Sequence, residues 1–265
     1  MVKEAKKTGF GAIVVWTLIF LAIIILSKTV LYFVVPLNVY TPYHAVIEFL
    51  TIITGIIIFY YSNKSYKQSG SNVVRIIGWA FLAMALIDIF HIMAFKGFPN
   101  PFFTPGSNAG IWFWLPARFV GAVLLFISAI VSVSKKRKNF SFLKWLTIIY
   151  VVVMIPLAIY NTYNQVLPAM FIDGVGLTAL KIFLEYFVMA LFGITAIIYG
   201  FVFYKNRSKT LDYFIIGLIA TFFSELAFTM YLSVSDVFNF VGHILKLVAY
   251  VFFYYGIVSS LRTKR

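Results

Sequence analysis

Residues Leu86 to Gly97 have the sequence LIDIFHIMAFKG. The fold of the whole chain can be inferred by starting from this stretch. An aspartate and a histidine, Asp88 and His91, stand three residues apart near the end of an otherwise apolar run. Residues at this spacing lie on one face of a helix. Because ionisable groups inside a membrane are costly and usually functional, the stretch predicts a membrane helix with a polar site on one face. A loop rich in Gly and Pro follows it.

The composition excludes a water-soluble domain. Of the 265 residues, 62% are hydrophobic and only 11% are charged, whereas soluble domains carry about 25% charged residues. The chain is therefore predicted to be a polytopic, all-α membrane protein. It contains no cysteine, so neither a disulfide framework nor a thiolate metal site is available.

Eight apolar runs follow one another, each with the roughly 20 residues needed to cross about 30 Å of hydrocarbon. The runs are Gly9–Val35, Pro42–Ser62, Ser71–Phe95, Ile111–Val133, Phe140–Tyr160, Leu177–Tyr204, Lys209–Ser233 and Val237–Leu261. The first run is too long for a signal-peptide core and lacks a small-residue cleavage site, so it is interpreted as an anchor. These runs predict one membrane-embedded domain over residues 1–265, with eight transmembrane helices and no soluble output domain in the chain.

The distribution of basic residues predicts the orientation. Most of the 22 Lys and Arg residues lie in the N-terminal tail, in the loops after runs 2, 4 and 6, and at the C-terminus. The opposite loops hold only Lys96. Under the positive-inside rule both termini are cytoplasmic, in a multi-pass protein of the cell (inner) membrane. The run SKKRK from Ser134 to Lys138 is then a cytoplasmic membrane anchor in contact with the bilayer, and no nucleic-acid partner is expected.

Several ionisable residues lie inside the apolar runs. Besides histidine they are four acids and four bases, which can be neutral if paired: Lys28, Glu48, Asp88, Arg118, Lys181, Glu185, Glu225 and Lys246. At a rise of 1.5 Å per residue, the candidate residues fall in one layer about 3 to 14 Å below the outer surface. The candidate ligand-binding residues are His44, Glu48, Asp88, His91, Arg118, Glu185, Glu225, His243 and Lys246.

Spacing within each helix supports convergence of these residues. His44 with Glu48 and Lys181 with Glu185 are four apart, and His243 with Lys246 are three apart, like Asp88 with His91. Each pair shares a helix face. A charge facing lipid costs a few kcal/mol at least, so the faces are predicted to point inward. The sequence therefore predicts a polar pocket that opens to the outside.

The residue types allow several occupants of this pocket. Three imidazoles suit a transition metal or haem, with His44, His91 and His243 as ligands and with Asp88 and Glu48 orienting His91 and His44. An organic or anionic ligand held by Arg118 and Lys246 is an alternative. A third is histidine used for hydrogen bonding or pH sensing. The same charges can also form a purely structural network.

Alternatives to a ligand-binding pocket come from other classes of membrane protein. A transporter needs polar steps on both sides of the membrane, and the inner half offers only Ser, Thr and Tyr hydroxyls. A haem-containing electron-transfer protein and an assembly scaffold are further alternatives. An enzyme is not predicted, because the chain has no GxSxG, HExxH, P-loop or GxGxxG motif.

Six sequence blocks carry a resemblance to a known family. They occur in order along the chain as YHAVIEF (43–49), DIFHIMAFKGF (88–98), WFWLPAR (112–118), LKIFLEY (180–186), SELAFTMYLSV (224–234) and NFVGHILKLVAY (239–250). Together they resemble the bacterial membrane-associated sensor domain of the third type. The family's polar positions fall on the nine candidate residues. Two positions depart from the family: Ile92 replaces a common Thr, and Phe95 replaces a common Tyr.

The resemblance implies a sensory input domain. Such domains are fused to or associated with a cytoplasmic output, such as a histidine kinase, a cyclic-dinucleotide enzyme or a chemotaxis-type module. It leaves open which output is controlled and whether the chain forms a homodimer. The last helix, which begins near His243 and ends at the basic C-terminus, is the predicted signal route.

Overall fold

The computed structural model describes residues 2–134 and 140–262, with side chains for residues 9–134 and 140–261. Lys135, Lys136, Arg137 and Lys138 of the basic run, and the terminal Lys264 and Arg265, lie outside the described residues. The helices are α1 Val2–Thr29, α2 Leu37–Ser69, α3 Asn72–Ala94, α4 Ser107–Val133, α5 Ser141–Asn164, α6 Ala179–Lys205, α7 Lys209–Phe228 and α8 Val237–Arg262. Eight helices in the described part of the chain are long and apolar enough to cross a membrane. The predicted all-α fold is confirmed, and the orientation in the membrane stays a prediction.

Six of the helices form a closed ring. Going round it, α2 packs on α3, α3 on α4, α4 on α6, α6 on α7, α7 on α8, and α8 back on α2. Two helices lie outside: α1 packs on α7 and α8, and α5 packs on α3 and α4. Large apolar side chains such as Leu18 and Trp145 are exposed on these two helices, as expected for surfaces that meet lipid. The ring helices are the six that carry the candidate residues.

Small residues let the ring helices approach closely. A Cβ at Gly121 would lie 2.3 Å from the sulfur of Met84, where α4 meets α3. A Cβ at Gly242 would lie 2.5 Å from the ring of Phe228, where α8 meets α7. Since lipid tails are as apolar as Leu side chains, membrane helices associate largely through such close packing.

Several helix ends differ from the predicted spans, and two helices end five or more residues early. The first helix ends at Thr29 rather than Val35, and the seventh ends at Phe228 rather than Ser233. The segment after α1 is extended and pairs with the start of α8: Val35 N donates to Ser235 O at 2.9 Å, and Val237 N donates to Phe33 O at 3.0 Å. Apolar composition alone does not separate such a packed extended segment from the end of a helix.

Four segments lie at one end of the bundle, here called the looped end: residues 30–36, 95–106, 165–178 and 229–236. In the third segment, β1 (Phe171–Ile172) pairs with the antiparallel β2 (Gly176–Leu177), a hairpin that the sequence did not predict. Asn108, in the first turn of α4, holds it: its amide donates to Phe171 O at 2.7 Å, and its Oδ1 accepts from Met170 N at 2.7 Å. Lys96 donates to Asp173 at 2.8 Å, and this hydrogen bond lowers the pKa of Asp173.

Candidate functional site

Three histidines from three helices meet inside the ring just below the looped end. His44 is on α2, His91 on α3 and His243 on α8, and each is at most 5% exposed. His44 Nε2 lies 3.2 Å from His91 Nε2. The rings of His44 and His243 are perpendicular, with centroids 4.5 Å apart. On its other side the His44 ring stacks on the Phe95 ring, with centroids 3.7 Å apart. Phe95 therefore restricts the orientation of the imidazole.

Backbone carbonyls fix the orientation of two of the imidazoles. His91 Nδ1 lies 2.9 Å from Gly110 O, and His243 Nδ1 lies 2.7 Å from Asn239 O. Because a carbonyl oxygen only accepts, each Nδ1 carries a hydrogen and donates it. In the neutral rings Nε2 then carries a lone pair. The His91 lone pair faces His44, whose Nε2–H donates to it.

Glu48, one helical turn below His44, completes a four-membered group. One ligand atom from each of His44, Glu48, His91 and His243 lies within 4.8 Å of the others. His243 Nε2 is 3.4 Å from Glu48 Oε1, but the alignment is not that of a hydrogen bond. Ligands at 2.0–2.1 Å on the corners of a tetrahedron are about 3.3 Å apart. The two shortest spacings in this group, 3.2 and 3.4 Å, match that distance, and all four ligand atoms lie within 4.8 Å of one another.

A charged network lies on the side of Glu48 that faces the middle of the membrane. Lys246 Nζ donates to both Glu48 oxygens, at 2.9 and 2.6 Å, and to Asp88 Oδ2 at 2.8 Å. Arg118 Nη2 donates to the same Asp88 oxygen at 2.8 Å. All four side chains are at most 2% exposed. These contacts join α2, α3, α4 and α8. They hold the four helices together, because separating them would leave buried charges unpaired, which is strongly destabilising.

A second acidic group lies across the ring, on α6 and α7. Lys181 Nζ contacts Glu185 Oε1 at 2.9 Å and donates to Phe228 O at 2.6 Å. Glu225 of α7 lies within hydrogen-bond reach of Glu185. Neither oxygen of Glu225 has a hydrogen-bond partner among the described residues, and neither has Glu185 Oε2. The nine candidate residues are therefore all buried together, but as two adjoining groups.

Trp114 of α4 connects the two groups. Its Nε1 donates to Glu185 Oε1 at 3.1 Å. Its ring lies 4.6 Å from the Arg118 guanidinium and 4.5 Å from Lys246 Nζ, so both cations contact its π-face. A fifth of the chain is aromatic, so the sequence alone does not single out Trp114.

Two expectations about individual residues were wrong. Asp88 does not orient His91, because it pairs with Lys246 and Arg118, while Gly110 O accepts the hydrogen bond from His91 Nδ1. Glu48 contacts His243 and not His44. Lys28 is exposed in the last turn of α1, so the eight ionisable residues found in the apolar runs include four buried acids but only three buried lysines and arginines.

The carbonyls of Gly110 and Asn239, which orient the imidazoles, were missed by sequence reasoning. A backbone carbonyl carries no residue-specific signal, and its use depends on how neighbouring helices are rotated. One indirect signal is present: Asn239 is four residues before His243, the spacing at which a side chain can return to a carbonyl of its own helix.

A narrow pocket of about 20 Å³ reaches from the looped end to the histidines. Its wall includes Ser107 and Val234 at the mouth and His91 and His243 at the inner end, with Lys181 and Trp114 along one side. This volume holds one or two water molecules, since each needs about 10–15 Å³. Small ions and protons therefore have a route to the polar groups, whereas a bulky ligand does not fit without rearrangement.

Comparison with known proteins adds a family match. Residues 35–261 match the model of MASE3, a membrane-associated sensor domain. The match covers most of the chain and all nine candidate residues, and it begins after α1. No similar curated protein and no similar solved structure was found.

Proposed function

Because this chain belongs to the MASE3 family of membrane-associated sensor domains, and is thus a membrane sensory domain, we propose that its input is a first-row transition-metal ion. The ion binds to His44, His91 and His243, with Glu48 as the fourth ligand. The predicted orientation makes the looped end the outer face, so the ion enters from outside the cell.

One observation carries this proposal: ring nitrogens of the three histidines and a carboxylate oxygen of Glu48 converge inside the ring, within 4.8 Å of one another. Histidines that bind metals usually donate the other ring N–H to a carbonyl or carboxylate, which fixes the tautomer. His91 and His243 make that bond to Gly110 O and Asn239 O. His44 Nδ1 and His243 Nε2 have no hydrogen-bond partner among the described residues. A cation at the centre would take the Nε2 lone pairs of His91 and His243, and that of His44 once its hydrogen moves from Nε2 to the unpartnered Nδ1.

The donor set favours certain metals. Three imidazoles and one carboxylate suit Zn²⁺ and Cu²⁺, whereas Ca²⁺ and Mg²⁺ need oxygen ligands throughout. Haem fits this geometry poorly. A porphyrin would have to separate two axial histidines on opposite faces, but His44 and His91 are only 3.2 Å apart and the adjoining pocket measures about 20 Å³.

Glu48 provides a route from metal binding to helix movement. It contacts both His243 and Lys246, which lie on the same face of α8. When a metal ion binds Glu48, the carboxylate of Glu48 interacts less strongly with Lys246. Lys246 keeps its ion pair with Asp88 on α3. The strengths of the contacts that α8 makes with α2 and α3 therefore change. The metal ion favours the position of α8 to which it binds more tightly. The other end of α8 passes this change to an attached or associated cytoplasmic signalling protein.

Cobalt binding tests the proposal, because tetrahedral Co²⁺ has strong visible absorption. The protein is purified in detergent with any His-tag removed, since the chain has only three histidines, and is titrated with Co²⁺ and then Zn²⁺. We expect one Co²⁺ per chain, displaced by Zn²⁺. His91→Ala or His243→Ala should weaken binding by more than about 100-fold, because losing even an outer-shell partner costs 10–100-fold.

Asp173→Asn is the matched control, since it removes an exposed carboxylate at the same end of the bundle. Its binding should equal that of the native chain. Absence of tetrahedral cobalt spectra, or binding that survives both histidine substitutions, would contradict a histidine metal site. Uptake of the same ion into liposomes would instead favour a transporter. In the described part of the chain the fully buried charges all lie toward the looped end, which supports a sensor over a transporter.

A further inference from the structure

The buried charges near the looped end do not balance. Three of the four membrane-embedded acids have a cation: Glu48 and Asp88 have Lys246 and Arg118, and Glu185 has Lys181. Glu225 has no ion pair among the described residues, although it is only 1% exposed. An isolated buried carboxylate is costly in an apolar environment, so some positive charge must accompany Glu225.

The unpartnered oxygens of the two carboxyl groups locate the missing charge. Lys181, one turn before Glu185, donates to Phe228 O, one turn after Glu225, and Glu225 lies within hydrogen-bond reach of Glu185. Both oxygens of Glu225 and Oε2 of Glu185 have no donor among the described residues. Because carboxylates only accept hydrogen bonds, these three buried acceptors on neighbouring carboxyl groups need a hydrogen.

We propose that Glu185 and Glu225 form a proton-binding site, in which one proton is shared between the two carboxyl groups. The shared proton makes an O–H···O hydrogen bond and leaves a single negative charge on the pair. Lys181 already compensates that charge through Glu185 Oε1. The inference does not rest on the histidine metal site, which lies on the other side of Trp114.

The surrounding groups favour a proton over an alkali ion. The charged groups that act electrostatically on Glu225 are Glu185, Arg118 and Lys181, and the Tyr231 ring lies 5.0 Å from Lys181 Nζ. The Phe228 carbonyl, which could coordinate Na⁺, is occupied by Lys181. The narrow pocket runs past Lys181 and Trp114, so the proton can exchange with the looped end.

Infrared spectroscopy tests this site directly, because a protonated carboxyl has a C=O stretch that an ionised carboxylate lacks. At neutral pH the native protein, which has eight Asp and Glu residues, should show the band of about one carboxylic acid per chain. The band should shift in D₂O. It should disappear in Glu225→Gln, which leaves Glu185 ionised beside Lys181. Asp173→Asn, which changes an exposed acid, should keep the band.

Glu225→Gln should also fold and melt within a few degrees of the native protein, because glutamine mimics a neutral glutamate and its amide can donate to Glu185. Failure of this variant to fold would overturn the proposal. So would a native spectrum without the carboxylic acid band, or a band that survives the substitution. Stabilisation by Na⁺ at constant ionic strength, lost in Glu225→Gln, would assign the site to an alkali ion instead. Cobalt binding by Glu225→Gln reports on the histidine site separately.

Discussion

Replacing Lys246 by methionine should strongly destabilise the fold. Lys246 Nζ makes three hydrogen bonds, two to Glu48 and one to Asp88, and the side chain is 2% exposed. In Lys246→Met, Asp88 keeps Arg118, but Glu48 retains only the Thr51 hydroxyl and the histidine contact. Removing one partner of a buried ion pair costs about 3–5 kcal/mol, because the remaining charge is uncompensated.

The double variant Glu48→Gln/Lys246→Met separates this penalty from lost packing. Because Glu48→Gln removes the unpaired negative charge, we expect the double variant to recover about 2–3 kcal/mol of the free energy of unfolding that Lys246→Met loses. This value is the upper range of coupling energies between residues in direct contact. The free energy of unfolding is measured by SDS titration of the detergent-solubilised protein. Lys28→Met is the matched control: Lys28 is exposed on α1, so the change should stay within about 0.5 kcal/mol. A Lys246→Met loss below about 1 kcal/mol, or a double variant no more stable than Lys246→Met, would refute the reasoning.

Two further predictions concern the packing around α8. Asp236 accepts four backbone N–H bonds, two of them from the first turn of α8, so Asp236→Ala should cost about 1–2 kcal/mol as a lost N-cap and speed amide exchange in the segment before α8. Unchanged exchange there would contradict this role. Gly242→Ala would place a Cβ 2.5 Å from Phe228 and should cost about 1–3 kcal/mol by overpacking, as measured by SDS unfolding. Gly200→Ala, where nothing lies within 4 Å, serves as its control and should be neutral or slightly stabilising.

The membrane explains why so much of the arrangement was predictable. A charged side chain facing lipid is penalised, so pairs three or four apart, such as Asp88 with His91, fix which helix face points inward. That argument correctly placed all nine candidate residues inside the bundle, including Glu225, for which the sequence shows no partner. The pairs gave the inward faces of α2, α3, α6 and α8.

The pairing between helices was not predictable in the same way. Asp88 pairs with Arg118 and Lys246 rather than with His91, because the choice depends on helix rotation and on shifts of an ångström or two along the axis. The apolar pattern of the sequence also does not predict that six helices close into a ring, namely α2, α3, α4, α6, α7 and α8. The short hairpin at the looped end depends on Asn108, which is distant in sequence.

Trp114 allows the histidine site to be followed by tryptophan fluorescence. Its indole lies against Arg118 and Lys246 and is 5.3 Å from the His91 ring and 5.4 Å from the His243 ring. Indole emission responds to nearby charge and is quenched by paramagnetic ions, so its intensity will follow events at the histidines without an attached dye. Changing the other four tryptophans, Trp16, Trp79, Trp112 and Trp145, to phenylalanine would leave a single-tryptophan protein whose fluorescence reports on the interior of the ring alone.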